Sequence, residues 1–242
     1  MRMAKVQGID VRVHGSFWLL AIGYGLVCLL QGGTGALFSG ILWMIALFTS
    51  VVLHEFGHAL MARRFGIETA HITLYPFGGI AALRGEPEGP GQEALISLAG
   101  PAVNLGLMVL SIGLWAFTGW MPLLVFGALN VVMGLFNMLP AFPMDGGRVL
   151  RASLTPLLGY WKASRFAINL GRFFGIAILV LGVVTFSLNA LLIGGFLIFA
   201  SSVERRRLEA RRSPIVVDGW VQSSSQAGAR HPYMPRWRVS SR

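Results

Sequence analysis

The stretch Leu37–Ala62, LFSGILWMIALFTSVVLHEFGHALMA, sets His54-Glu55-Phe56-Gly57-His58 inside an apolar run long enough to cross a bilayer as a helix. On a helix, residues four apart share one face, so His54 and His58 offer imidazole nitrogens to one metal ion while Glu55 projects beside them. Two such histidines suit zinc best. Glu55 is not needed as a ligand; its expected task is to take a proton from the attacking water and pass it to a leaving amine. Three ionisable groups within five residues of a membrane helix cost on the order of several kcal/mol unless something pairs or coordinates them. The bland alternative is a polar cluster hydrogen-bonded within a helix bundle.

Composition sets the class. With 55% hydrophobic residues, 12% charged ones and a mean hydropathy of +0.66, the chain departs from soluble globular averages. It is expected to be an all-α polytopic membrane protein. Apolar stretches run Phe17 to Leu30, Leu37 to Ala62, Ala94 to Phe117, Pro122 to Leu139, Phe166 to Phe186 and Leu188 to Val203, which predicts about six transmembrane helices. The first stretch has no small-residue cleavage site followed by a polar mature chain, so it is expected to stay. The single cysteine, Cys28, excludes an internal disulfide and a cysteine-based zinc site; packing is its expected role.

The 20 Lys and Arg fall in the N-terminal arm, after span two, after span four into span five, and in the tail. The positive-inside rule then places both termini and the even-numbered loops in the cytoplasm, as six spans demand. The net charge of +10 reads as topology and contact with anionic lipid at the cytoplasmic face, and not as nucleic-acid binding. Counted back from Arg63 at 1.5 Å per residue, His58 lies about 8 Å and His54 about 14 Å of helix from that boundary.

Catalytic zinc usually takes three protein ligands and a water, so a third ligand is needed. Asp10, Glu68, Glu86, Glu88, Glu93, Glu204, Glu209 and Asp218 read as lying in arms, loops or tail, which leaves Asp145, in Asn137-Met138-Leu139-Pro140-Ala141-Phe142-Pro143-Met144-Asp145-Gly146-Gly147. Two prolines end regular helix there, and two glycines permit a tight turn that holds a carboxylate at the depth of the histidines. The competing role for Asp145 is a cap for a helix over Arg148 to Leu158. Asn137 carries an amide suited either to substrate backbone or an oxyanion, or to an interhelical hydrogen bond.

Together, the 54–58 motif and the Asn137 to Gly147 segment resemble the signatures HExxH and NxxPxxPxDG of the site-2 protease family of intramembrane zinc metalloproteases. The likeness runs roughly from Val6 to Ser202 and takes in Leu74-Tyr75-Pro76-Phe77-Gly78-Gly79 and Ala99-Gly100-Pro101-Ala102-Val103-Asn104. The resemblance implies one Zn2+ per chain held by His54, His58 and Asp145, with Glu55 as general base and acid and Asn137 positioning substrate. The implied reaction is hydrolysis of a peptide bond within or next to the transmembrane helix of a membrane-anchored, single-span substrate. It further implies that a re-entrant segment, Ile72 to Leu83, presents a strand edge to unwound substrate, with Gly78 and Gly79 in contact with it. An ordinary cytoplasmic loop is the alternative for that segment.

The arm Ile9 to His14 alternates apolar and polar side chains, as a short strand pairing with that segment would. His14 and His71 read as interfacial polar residues. Gly100-Pro101 predicts a kink or close packing in span three, and Asn104 serves either as interhelical glue, the simpler role, or as a group steadying a zinc ligand. Arg148, Arg151, Lys162 and Arg165 surround the amphipathic Val149 to Leu158, as on a helix lying at the cytoplasmic interface. Residues 1–203 are expected to form the six-span core and 204–242 a basic tail, a lipid-contacting stretch followed by disorder; partner binding through Tyr233 and Trp237 is the alternative for the tail. Larger family members carry PDZ or cystathionine-β-synthase-type domains, for which there is no room here, so a minimal form in a prokaryotic cell membrane is expected. A zinc transporter is the first rival, but no inverted repeat of the histidine motif is present. A metalloprotease trimming lipid-modified protein ends is the second; its third ligand is typically a glutamate, and no suitable one follows His58 within a later span.

Overall fold

The computed structural model describes residues 2–76, 78–212, 215–217 and 220–222. The elements are β1 (Arg2–Val6), β2 (Ile9–Val13), α1 (Gly15–Arg64), β3 (Thr69–Tyr75), β4 (Gly78–Leu83), α2 (Pro90–Thr118), α3 (Met121–Asn137), α4 (Asp145–Leu158), α5 (Tyr160–Val184), α6 (Leu188–Arg212), β5 (Ile215–Val217) and β6 (Trp220–Gln222). The 50 residues of α1 form two helices. Gly32 (φ −147, ψ 20) and Gly33 (φ 67, ψ −158) leave helical geometry, and the second of these conformations is one that only glycine adopts readily. The two apolar stretches expected within residues 17–62 therefore flank this break.

Among the described residues, four helical elements, the broken α1 together with α2, α5 and α6, are long and apolar enough to cross a membrane, and α3 is a shorter apolar helix of 17 residues. Their outer surfaces carry Leu19, Leu30, Phe117, Val184 and Phe199 at 67–91% exposure. Contiguous apolar exposure on this scale marks a surface that something apolar must cover, and on helices of this length lipid does so.

The chain folds as two compact units, Met1–Glu86 with Leu95–Asn137, and Pro87–Ala94 with Met138–Arg242. In the first, four strands form a sheet in the order β1-β2-β3-β4. β2 runs parallel to β3, with Asp10 opposite His71 and Val13 opposite Leu74, so the arm does pair with the segment after α1. The hairpin partner β1 was not apparent in the sequence. The alternation in β2 buries Ile9, Val11 and Val13, which join Ile72 and Leu74 against Phe56 and Ala59 of α1. This apolar face fastens the sheet to the same helical turns that carry the two histidines. His14 is not simply an interfacial polar residue. It caps α1, its Nδ1 accepting from Ser16 N–H at 3.2 Å, and its ring stacks on Tyr75 at 4.8 Å.

The second unit corrects three expectations. Arg151 does not turn its guanidinium outward to lipid headgroups or water; its side chain is only 13% exposed and pairs with Glu93. Glu93 is not a loop residue but sits buried in the first turn of α2. A strand of charge in the chain therefore went inward because each ion found its counter-ion. Finally, α6 passes through the expected core–tail boundary at residues 203 and 204 and continues to Arg212. Tyr233 and Trp237 lie outside the described residues.

Candidate active site

His54 and His58 sit one turn apart on α1, their Nε2 atoms 3.0 Å apart. His54 is buried and His58 half-buried. Each ring is held from behind through Nδ1. That of His58 meets the Ile96 carbonyl at 2.7 Å, and that of His54 meets Asn104 Oδ1 at 2.6 Å. A carbonyl only accepts, so His58 must carry its proton on Nδ1 and turn the Nε2 lone pair inward.

His54 is fixed in the same tautomer, through two amides in series. Asn130 donates its amide to the Phe126 carbonyl at 3.0 Å, so its Oδ1 is the atom that accepts from Asn104 Nδ2 at 2.9 Å. Asn104 must then present Oδ1 to His54, and His54 must donate from Nδ1. Main-chain carbonyls thus fix both tautomers, and the orientation of both amides follows from the network. Asn104 and Asn130 are 0% and 1% exposed, so neither amide has an alternative partner in solvent. The expectation that Asn104 is simply interhelical glue is incomplete: it bonds to α3 and orients His54 at once. Asn130 was missed, because a lone asparagine in an apolar run has no local pattern that points to a histidine 76 positions earlier.

Two inward lone pairs 3.0 Å apart repel unless a proton or cation lies between them. Tetrahedral zinc with Zn–N of about 2.0–2.1 Å sets two nitrogens about 3.3 Å apart, so the pair needs to open by only about 0.3 Å. Donor type, tautomer and spacing all fit zinc. Gly100 supplies the room: a β-carbon there would lie 2.7 Å from His54 Nε2 and closer still to His58 Nε2. The close packing expected at Gly100-Pro101 is therefore packing against the histidines themselves. Gly57 acts similarly, since a β-carbon on it would approach the Ala99 carbonyl oxygen to 2.6 Å, and small residues let membrane helices come this close. Gly100→Ala is expected to fold yet bind well under one zinc per chain, measured by metal analysis of the purified protein. Asn104→Ala, which removes only the partner behind His54, is expected to weaken zinc about 10- to 100-fold in chelator competition.

Glu55 is half-buried beside the pair. β4 passes next to it: a β-carbon on Gly79 would fall 2.5 Å from Glu55 Cγ and 3.2 Å from Oε1. Gly78, at φ +139, opens the strand in a conformation that favours glycine. The double glycine is thus a close passage of backbone over a carboxylate as well as a bend. Gly79→Ala is expected to keep its zinc and lose about 10^2-fold in cleavage, the scale of a displacement of about 1 Å in a catalytic group; parallel metal and peptidase assays check it.

Asn137 is the last residue of α3, and its amide donates to the Met133 carbonyl at 3.0 Å within the same helix. That bond is neither of the two roles the sequence offered, although the side-chain oxygen remains an acceptor. Asp145 lies in the second unit, in the first turn of α4, where the helix dipole favours a carboxylate. The N-cap position belongs to Met144, so Asp145 is not the cap that the alternative required. Gly146 and Gly147 are helical, not part of a tight turn. Their missing β-carbons admit the preceding loop, for one on Gly147 would meet the Ala141 carbonyl carbon at 2.5 Å.

The chain belongs to Peptidase family M50, whose model matches residues 42–120 and 113–182. Within that class its structural likeness is to a site-2 protease: it superposes on the solved site-2 protease from Methanocaldococcus jannaschii with a TM-score of 0.68 and 29% identity, covering 92% of this chain and 99% of that one. In sequence it is 35% identical over 216 residues to zinc metalloprotease MJ0392 of the same organism, covering 86% of this chain and 61% of that protein. It is also 28% identical over 168 residues to stage IV sporulation protein FB of Bacillus subtilis, covering 65% of this chain and 52% of that one. The chain thus spans about half to three-fifths of the length of these two sequence relatives.

Proposed function

We propose that the protein is an intramembrane zinc metalloprotease that cuts a peptide bond within or next to the transmembrane helix of a membrane-anchored protein. The observation that carries this reading is the pair of inward Nε2 lone pairs with Nδ1 protons fixed from behind, beside a carboxylate that is not needed as a ligand. His54, His58 and Asp145 would hold one zinc. When bound, the metal supplies a Lewis acid that polarises the scissile carbonyl and makes water nucleophilic near neutral pH.

Glu55 takes the proton of the attacking water on its carboxylate and returns it to the departing amide nitrogen. Substrate must reach it as extended chain, because a helix keeps its peptide groups hydrogen-bonded to one another. β4 suits that need. Among the described residues it is an edge strand with β3 as its neighbour, and it passes Glu55 at Gly79. An unwound segment added along β4 would satisfy its freed N–H and C=O groups on the strand while bringing one bond to the carboxylate. Gly78 and Gly79 contact substrate in this arrangement, and the free oxygen of Asn137 accepts from its backbone. Six crossings, cytoplasmic termini, a prokaryotic cell membrane and contact between the basic cytoplasmic side and anionic lipid complete the reading.

Incubating the zinc-loaded protein with a panel of single-span model substrates tests it. Cleavage by the wild type and none by Glu55→Gln supports the proposal, whereas equal cleavage by both would remove Glu55 from the mechanism. A metal-transport role predicts instead that zinc flux into vesicles survives Glu55→Gln.

A further inference from the structure

Phe142 is three residues before Asp145 and is 2% exposed. It is held from every side within the second unit. Its N–H donates to the Ala167 carbonyl at 3.3 Å, its own carbonyl accepts from Ser201 Oγ at 3.0 Å, and Gly171 has no β-carbon because the Phe142 carbonyl occupies that space. The Arg151 guanidinium lies 4.9 Å from the centre of the Phe142 ring and 5.0 Å from that of Tyr160.

Arg151 is in turn fully engaged. Its Nε donates to Glu93 Oε1 at 2.8 Å, Nη2 donates to the same oxygen, and Nη1 donates to Tyr160 Oη at 3.2 Å; Glu204 lies 4.0 Å away. Burial, the largest single influence, pulls its pKa down, but Glu93, Tyr160 and Glu204 outweigh burial and leave it raised. The cation is therefore present at every pH at which the protein is handled, and its share of stability is lost only as pH climbs through the guanidinium's own range.

We propose that Arg151 is a positioning residue for the zinc site: clamped by Glu93 and Tyr160, it presses its charged plane on Phe142 and so fixes the loop that delivers Asp145. This rests on the reading of Asp145 as the third ligand. The planar fork matters as much as the charge. Lysine is a point donor that cannot give two bonds to one carboxylate, one to a phenol and a flat face to two rings at once.

The test uses the full chain in detergent and reads zinc affinity by chelator competition, together with thermal unfolding. Arg151→Lys and Phe142→Leu are each expected to weaken zinc about 10-fold, the lower end of what groups supporting a metal ligand contribute. The double variant is expected to weaken it no further than the worse single one, because both act through one contact. Arg205→Gln, at an exposed pair with Glu209, is expected to leave affinity unchanged. Lowered thermal stability with unchanged zinc affinity in both single variants would overturn the proposal by showing a purely structural clamp. Should Arg151→Lys fail to fold, Phe142→Leu alone decides. Asp145→Ala in the same assay separates the two layers: tight zinc there would fail the ligand assignment, and weak zinc there with normal affinity in Phe142→Leu would fail only the role of Arg151.

Discussion

Glu55→Gln is expected to bind zinc as the wild type does and to lose cleavage by at least about 10^2- to 10^4-fold, the range typical of a general acid and base. The substitution keeps the shape of the side chain, which matters because Gly79 of β4 leaves no room for a β-carbon beside Glu55 Cγ. It also leaves His54 and His58 with their Nδ1 partners, Asn104 and Ile96. Only the ability to accept and return a proton disappears. Metal analysis and peptidase assay on the same preparation separate the outcomes: lost zinc would make Glu55 a ligand, and retained cleavage would make it a bystander.

Asp145→Ala and His58→Ala are expected to lose zinc as well as cleavage, with metal falling from one per chain toward none. Two neutral imidazoles from one helix make a weak, exchangeable site, and a carboxylate ligand adds both a third bond and the negative charge that offsets part of a dication. His58→Ala also removes the imidazole that bonds to the Ile96 carbonyl. Asp145→Asn keeps the size and removes the charge, so it is expected to fall between wild type and alanine in zinc affinity. Full metal stoichiometry in Asp145→Ala would remove Asp145 from the ligand set and direct the search to another acidic residue.

Residues close in sequence were the readable part. The four-residue spacing of His54 and His58 is a property of any helix, and the alternation of Ile9 to His14 is a property of any half-buried strand, so both elements followed from local pattern. The paired glycines 32 and 33 between two apolar runs likewise coincide with the break in α1. Contacts between distant positions were not readable. Asn130 reaches Asn104 across 26 residues and Arg151 reaches Glu93 across 58; such pairs depend on which helix faces meet, and no periodicity encodes that. Glu93 and Arg151 depart from the sequence expectation for a definite physical reason. Charged residues flanking apolar runs usually face water or lipid headgroups, but two opposite charges that find each other can be carried inward together. Gly146 and Gly147 teach the complementary lesson, since a double glycine serves backbone packing in a helix as readily as a turn.

The most direct measurement is the site of cleavage. Zinc-loaded protein reconstituted in liposomes with a single-span substrate, followed by mass spectrometry of both product fragments, locates the cut bond. The proposed function predicts new termini inside the apolar span, or within a few residues of its end, absent with Glu55→Gln. Cuts confined to the soluble flanks, or an intact substrate panel with one zinc in every chain, would contradict an intramembrane protease.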